Sequence, residues 1–144
     1  MDKLVKMIVD AKDLVVGRFA TEVAKKALLG EEVMVVNCSE AVMTGTRKKI
    51  VADFVRKREM GIPAKGPFFH RRSDMLVKRM IRGMLPYKQK KGEEAFKRIK
   101  CHVNVPSELE GKEFKTFEKA NVSKLPNLKF MRVKEVCKIL GAKE

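Results

Sequence analysis

The 144-residue chain carries 33 Lys or Arg against 18 Asp or Glu, a formal net charge of +15, with 44% hydrophobic residues. That length suits one domain with a genuine core. No apolar run reaches signal-peptide or membrane-spanning length, and no membrane partner is expected. The charge is concentrated. Arg47 to Lys100 hold 18 basic and five acidic residues, a net of +13, whereas residues 1–46 come to −1 and residues 101–144 to +3. So dense a cationic block predicts a polyanion as partner, because neutralising phosphates releases condensed counterions.

Met7-Ile8-Val9, followed by Asp10, predicts a buried strand. From Gly17 the pattern turns helical: Phe19, Ala20, Val23, Ala24, Ala27 and Leu28 share one face, with Arg18, Glu22 and Lys25 opposite. Gly30 stops it as a glycine past a helix end does. Val33 to Val36 is continuously apolar, as a strand covered on both faces is. Strand, helix and strand in about 30 residues make a βαβ unit with a parallel pair.

Thr44-Gly45-Thr46 leads into a second helix with Ile50, Val51, Phe54 and Val55 inward and Arg47, Lys48, Lys49, Arg56, Lys57 and Arg58 outward. Residues 60–69 hold two Gly and two Pro and predict a loop. Ser73 is placed as the N-cap of a third helix. There Leu76, Val77, Met80, Ile81 and Met84 form the packed face, and Arg72, Lys78, Arg79 and Arg82 the cationic one. Pro86 ends this helix, Tyr87 to Lys91 form a basic loop closed by Gly92, and a short helix runs from Glu93 to Arg98. A third strand is expected over Cys101–Val105 and a last one over Leu128–Arg132. Between them residues 107–127 are polar and poorly periodic. Val133, Val136, Cys137 and Leu140 give a final amphipathic helix before Gly141. No internal repeat or linker interrupts the chain.

Catalytic and cofactor patterns fail on inspection. Gly17 stands alone where a dinucleotide-binding turn needs three glycines. Gly61 and Gly66 have P-loop spacing, but Pro67 and Phe68 replace the Lys and hydroxyl residue that phosphate and Mg²⁺ require. Cys38, Cys101 and Cys137 fit no metal spacing with His70 or His102, and read as thiols of a reducing compartment. His70, beside Arg71 and Arg72, has no nucleophile or orienting carboxylate near it in sequence; a phosphate contact or a packed ring suits it better than a general base. Glu93 and Glu94 point about 100° apart on a helix and complement its N-terminus. No cofactor, metal or small-molecule substrate is expected. The chain has no Trp, one Tyr and eight Phe, so binding of single strands by base stacking is disfavoured.

Three stretches together are specific. They are Asp10-Ala11 with Val15-Val16-Gly17-Arg18-Phe19-Ala20 and Ala24; Val33-Met34-Val35-Val36-Asn37 with Thr44-Gly45; and Gly66-Pro67-Phe68-Phe69-His70-Arg71 with Ile81-Arg82-Gly83-Met84-Leu85-Pro86 and Lys88 to Gly92. They resemble the universal large-subunit ribosomal protein L-thirteen family over roughly residues 7–140. Arg-Gly-Met-Leu-Pro before a basic, Gly-closed loop is the most telling part. Tyr87 stands where many members have His, and Ser73-Asp74 where a Pro-containing pair is common. Residues 1–6 read as a possible N-terminal extension with Met7 as an alternative start. The ending at Glu144, short of the eukaryotic helical extension, points to the archaeal form.

The resemblance implies a single α/β domain, a three-layer α/β/α arrangement around a small, mostly parallel sheet of about four strands. It implies a non-enzymatic, cytoplasmic role in the large ribosomal subunit, binding large-subunit (23S) rRNA beside neighbouring ribosomal proteins. The rRNA contacts then expected are Arg47, Lys48 and Lys49 at the second helix; Lys65, His70, Arg71 and Arg72 in the loop; Lys78, Arg79, Arg82 and Gly83 on the third helix; and Lys88, Lys90, Lys91, Lys97 and Arg98 beyond it. Gly83 would let RNA backbone approach closely, and Met84 and Leu85 would anchor the helix end in the core. Arginines offer phosphates bidentate contact, and lysines mobile point charges. An off-ribosome regulatory RNA-binding protein would use the same surface, and a nucleic-acid-processing enzyme would need a carboxylate or metal cluster that the sequence lacks.

Overall fold

The computed structural model describes residues 6–143. Apart from Lys6, the proposed extension at 1–6 lies outside the described residues. Strand β1 (Lys6–Asp10), helix α1 (Val16–Leu28) and strand β2 (Glu32–Val36) form the expected parallel unit. Met7 lies opposite Val33 and Val9 opposite Val35. Val16, Phe19, Ala20, Val23, Ala24 and Ala27 are the buried stripe of α1. Fully burying a large side chain such as Phe19 contributes about 1.5–3 kcal/mol. Leu28 departs from that stripe and is 44% exposed. The helix ends as predicted. Gly30 takes φ +99°, and the N–H groups of Gly30 and Glu31 donate to the carbonyls of Ala27 and Lys26 at 3.1 and 3.2 Å. This is the paired closure that a left-handed glycine permits.

The third strand of the parallel sheet is the fourth in the chain and follows a long excursion. Its beginning is strand β3 (Val42–Thr44), which the sequence reading did not separate from the turn before the second helix. Helices α2 (Arg47–Glu59), α3 (Ser73–Arg82) and α4 (Lys90–Lys97) follow, and strand β4 (Ile99–Cys101) then pairs parallel with β2. The main sheet therefore has three strands in the order β1-β2-β4. The strand expected near the C-terminus exists as β5 (Phe130–Arg132), but it pairs antiparallel with β3 in a separate two-stranded sheet. Helix α5 (Val133–Ile139) closes the chain, and Gly141 at φ +103° ends it.

The two faces of the main sheet are covered differently. Met7, Val9, Val33, Val35 and Ile99 join the principal core with residues of α1, α3 and α4. Ile8, Met34 and Val36 face the other way and pack with Val105, Leu109 and Phe114. Helices thus cover one face, and the irregular segment after β4 covers the second. That explains why β2 reads as continuously apolar. The polar segment 107–127 also guards an edge. Asp10 and Lys115 exchange backbone contacts along β1, with Asp10 N–H donating to the Lys115 carbonyl at 3.0 Å and Lys115 N–H to the Ile8 carbonyl at 2.8 Å. An uncovered strand edge would invite pairing with another chain.

Three boundaries shift for physical reasons. Strand β4 runs Ile99–Cys101, so only Cys101 of the expected Cys101–Val105 strand is in it: Ile99 is fully buried opposite Val33, and the chain leaves the sheet after Cys101. Arg72, not Ser73, is the N-cap of α3, and Ser73 is the buried first residue of the helix. The basic loop after Pro86 is shorter than expected, since Lys90, Lys91 and Gly92 are already helical. Gly92 is buried against the Pro86 turn, and only glycine fits there, since a Cβ would run into the Pro86 carbonyl group and lie 2.9 Å from the Tyr87 nitrogen. At the seam beyond β2, Cys38 N–H donates to the His102 carbonyl at 3.1 Å. A hydrogen bond with the Cys101 thiol, reinforced by burial, pushes the Cys38 thiol well above its ordinary value. No disulfide is present among the described residues.

Candidate nucleic-acid interface

Helix α3 turns Leu76, Val77 and Ile81 into the core. The remaining arc carries Lys78, Arg79 and Arg82, spaced i, i+1 and i+4, so the three cationic heads leave the same side of the helix. Each head sits over an aromatic ring. The Lys78 ammonium is 4.8 Å from the centre of Phe96, the Arg79 guanidinium 4.8 Å from Phe69, and the Arg82 guanidinium 4.8 Å from Tyr87. Arg79 also donates to the Phe68 carbonyl at 3.1 Å. Such pairings contribute about 0.5–1 kcal/mol each where solvent reaches them. Their larger effect is to hold long side chains in place without neutralising them.

Phe69 joins this arc to α2. Its ring also lies 5.9 Å from the Lys57 ammonium, which in turn sits 5.1 Å from Phe54. Phe54 is buried, so its packing places Lys57 at the surface beside the loop. The band Lys57, Phe69, Arg79 is therefore continuous from α2 to α3. Arg71 belongs to the same loop, lining a cavity of about 400 Å³ with Arg58, Phe68 and Phe69. His70, Lys78, Arg79 and Arg82 line a smaller one of about 110 Å³, together with Met75 and Phe96.

Other expected contacts stand apart. Arg47 pairs with Glu135 at 3.6 Å, and Lys48 and Lys49 are exposed beside it at the far end of α2. Arg72 is held by Asp74 at 3.1 Å and lines a different depression with His102 to Pro106. Lys65 is exposed at the tip of the loop. Lys97 pairs with Glu93 at 2.9 Å. Arg98 is part-buried and donates to the Ala27 carbonyl at 3.0 Å, which engages it with the C-terminal end of α1. Lys88, Lys90 and Lys91 are exposed around the start of α4. Gly83 is the C-cap of α3 with right-handed torsions that any residue adopts (φ −62°, ψ −19°), and its Cβ would meet only the Met80 carbonyl oxygen, at 3.4 Å. Its backbone supplies no special reason for glycine. Leu85 is buried as expected, but Met84 is 43% exposed.

Sequence reasoning missed Lys57 as part of this surface, and missed the aromatics altogether. Phe68 is 70% exposed, and Tyr87 is exposed as well. The 78/79/82 spacing was visible in the sequence, but the pairing of each cation with a ring comes from other elements. Among the described residues no group of three or more His, Cys, Asp or Glu side chains could hold a metal ion. No helix among them is long and apolar enough to cross a membrane.

The fold and surface define a class: a small α/β domain presenting a cationic band, Lys57 with Lys78, Arg79 and Arg82, stiffened by aromatic rings. Comparison with known proteins narrows it. The family model for ribosomal protein L13 matches residues 5–108. A protein named large ribosomal subunit protein uL13 from Methanococcus maripaludis is 44% identical over 142 residues, covering 95% of this chain and 98% of its own. Proteins of the same name from Methanocaldococcus jannaschii and Methanococcoides burtonii are 41% and 40% identical, each over 94% of this chain and 98% of theirs. The chain belongs to the ribosomal protein L13 family.

Proposed function

We propose that the chain is a non-catalytic constituent of the large ribosomal subunit in the cytoplasm, where it binds large-subunit rRNA and stabilises its folded form. The observation that carries this reading is the convergence of Lys57, Arg79, Lys78 and Arg82 on one surface, each over an aromatic ring. Family membership supports the ribosomal setting.

The chemistry follows from how folded RNA presents itself. Its helices are recognised through shape, phosphates and 2′-hydroxyls more than through base edges. Phosphate contacts fix register and orientation, so cations held in place by rings serve better than mobile ones. Exposed lysines around α4 then add counterion release without geometric demand. Neighbouring ribosomal proteins complete the setting, and the apolar surface at Leu28, Leu29 and Met84 is available to such a contact.

Co-sedimentation tests the reading. The chain is expected to stay with large subunits through a high-salt wash. Quantitative release into the supernatant, with RNA binding retained, would instead favour an off-ribosome regulatory protein.

A further inference from the structure

The small cavity between α3, α4 and the turn at His70 has a narrower chemistry than the surface around it. Its lining is His70, Met75, Lys78, Arg79, Arg82 and Phe96, with a volume of about 110 Å³. That is on the order of four waters at about 30 Å³ each, room for one tetrahedral oxyanion. No carboxylate lines it. Lysine and arginine heads are donors only, so apart from one imidazole nitrogen the cavity's side chains offer nothing to the N–H groups of a base. A nucleobase can offer acceptors along one edge but would leave its own N–H groups without partners here, whereas a phosphate offers acceptors only and meets all three cations.

The site is built before any ligand arrives. Lys78 is fixed over Phe96, Arg79 over Phe69 and by the Phe68 carbonyl, and Arg82 over Tyr87. The Arg82 Nε is buried and meets no acceptor among the described residues, so its guanidinium is under-satisfied there. Pre-set donors lose less freedom on binding than mobile ones. The exposed lysines at 88, 90 and 91 have no comparable restraint among the described contacts.

We infer that this cavity takes a single backbone phosphodiester of the bound rRNA, and that Arg82 fixes the register of the complex through it. The inference rests on the rRNA-binding reading above. A free phosphate shares the same chemistry; the RNA backbone is favoured because the cavity adjoins the cationic band, with Arg79 common to both.

Phosphate-ethylation interference on large-subunit rRNA, using the full chain, tests it. The wild type is expected to show one phosphate whose ethylation strongly blocks binding. Arg82→Lys keeps the charge but loses the planar fork. It should lower affinity about tenfold and erase interference at that phosphate while leaving the rest of the pattern. Lys78→Gln provides a second variant should Arg82→Lys fold poorly, and a Lys48→Ala/Lys49→Ala control should leave that phosphate sensitive. An unchanged pattern in Arg82→Lys and Lys78→Gln, with the wild type still preferring large-subunit rRNA, would overturn the inference alone. Wild-type binding no tighter than to unrelated structured RNA would remove the rRNA reading and the inference with it. The Arg82 Nε–H resonance distinguishes the source of phosphate. Saturation by millimolar inorganic phosphate would assign the cavity to a free anion, whereas a response to the rRNA and not to inorganic phosphate supports the backbone.

Discussion

Replacing Gly92 with Ala should destabilise the domain, although the same exchange in an ordinary helix does the opposite. Gly92 lies in the first turn of α4, where Ala is favoured over Gly by roughly 0.5–1 kcal/mol. Here the new Cβ would collide with the Pro86 carbonyl group and sit 2.9 Å from the Tyr87 nitrogen. These are backbone atoms, so no side chain can swing aside; the turn or the helix must move. Overpacking of this kind costs about 1–3 kcal/mol and at times more. The clash wins, and a net loss of about 1–2 kcal/mol is expected, or roughly 3–8 °C in melting temperature for a chain of this size. Gly17→Ala is the control. Its Cβ would meet nothing within 4 Å, so the substitution should stabilise by about 0.4–1 kcal/mol. Urea unfolding of both variants, read by circular dichroism, is the assay. Gly92→Ala as stable as the wild type would refute the reasoning, because it would mean that α4 and the Pro86 turn are not in the contact described. The effect should also reach the interface, since Tyr87 carries the Arg82 guanidinium.

Three further outcomes follow from the same structure. A Lys88→Ala/Lys90→Ala/Lys91→Ala variant should weaken rRNA binding but unfold at the wild-type temperature or slightly above, because Lys90 and Lys91 oppose the dipole at the start of α4; a loss of helical signal would show these lysines to be structural. Arg98→Ala should cost about 1–3 kcal/mol of stability through the lost bond to Ala27, whose carbonyl lies 3.0 Å away. Its rRNA affinity, measured where the variant is still folded, should fall no more than for a single exposed Lys. Because the Cys38 thiol is raised in the folded state, its contribution to stability is fully present below the unfolded thiol's range, about pH 8.5, and is lost as pH rises through the folded value. Unfolding free energy should therefore decline above that pH, and Cys38→Ala should flatten the decline; equal slopes in the two proteins would rule this cause out.

Much of the fold was readable because it rests on local pattern. The α1 stripe, the continuous run of β2 and the glycines at 30 and 141 state period, burial and chain reversal within a few residues. What escaped was set by partners distant in sequence. Val42 to Thr44 form a strand only because Phe130 to Arg132 lie beside them. Gly92 looks like the end of a loop until the Pro86 carbonyl group is seen against it. Ser73 has the chemistry of a cap, yet sits one residue inside the helix and is buried. The cationic stretch was legible as charge, but its division of labour was not. Arg98 and Lys78 are both basic residues on or beside helices; one grips the end of α1 and the other stands over Phe96 in an open cavity. Low aromatic content argued against base stacking, and it gave no sign that four rings, Phe54, Phe69, Phe96 and Tyr87, would be set beneath cations.

The central claim is that this surface recognises folded large-subunit rRNA and is more than a polycation. The most direct measurement is binding of the purified chain to large-subunit rRNA and to an equal mass of unrelated structured RNA, at 50 and 200 mM salt. With on the order of 6–10 phosphate contacts, both affinities should fall by about 10³–10⁵ between those concentrations. A preference for the large-subunit rRNA that persists at the higher salt is the predicted result. Equal binding to the two RNAs, vanishing together as salt rises, would contradict it.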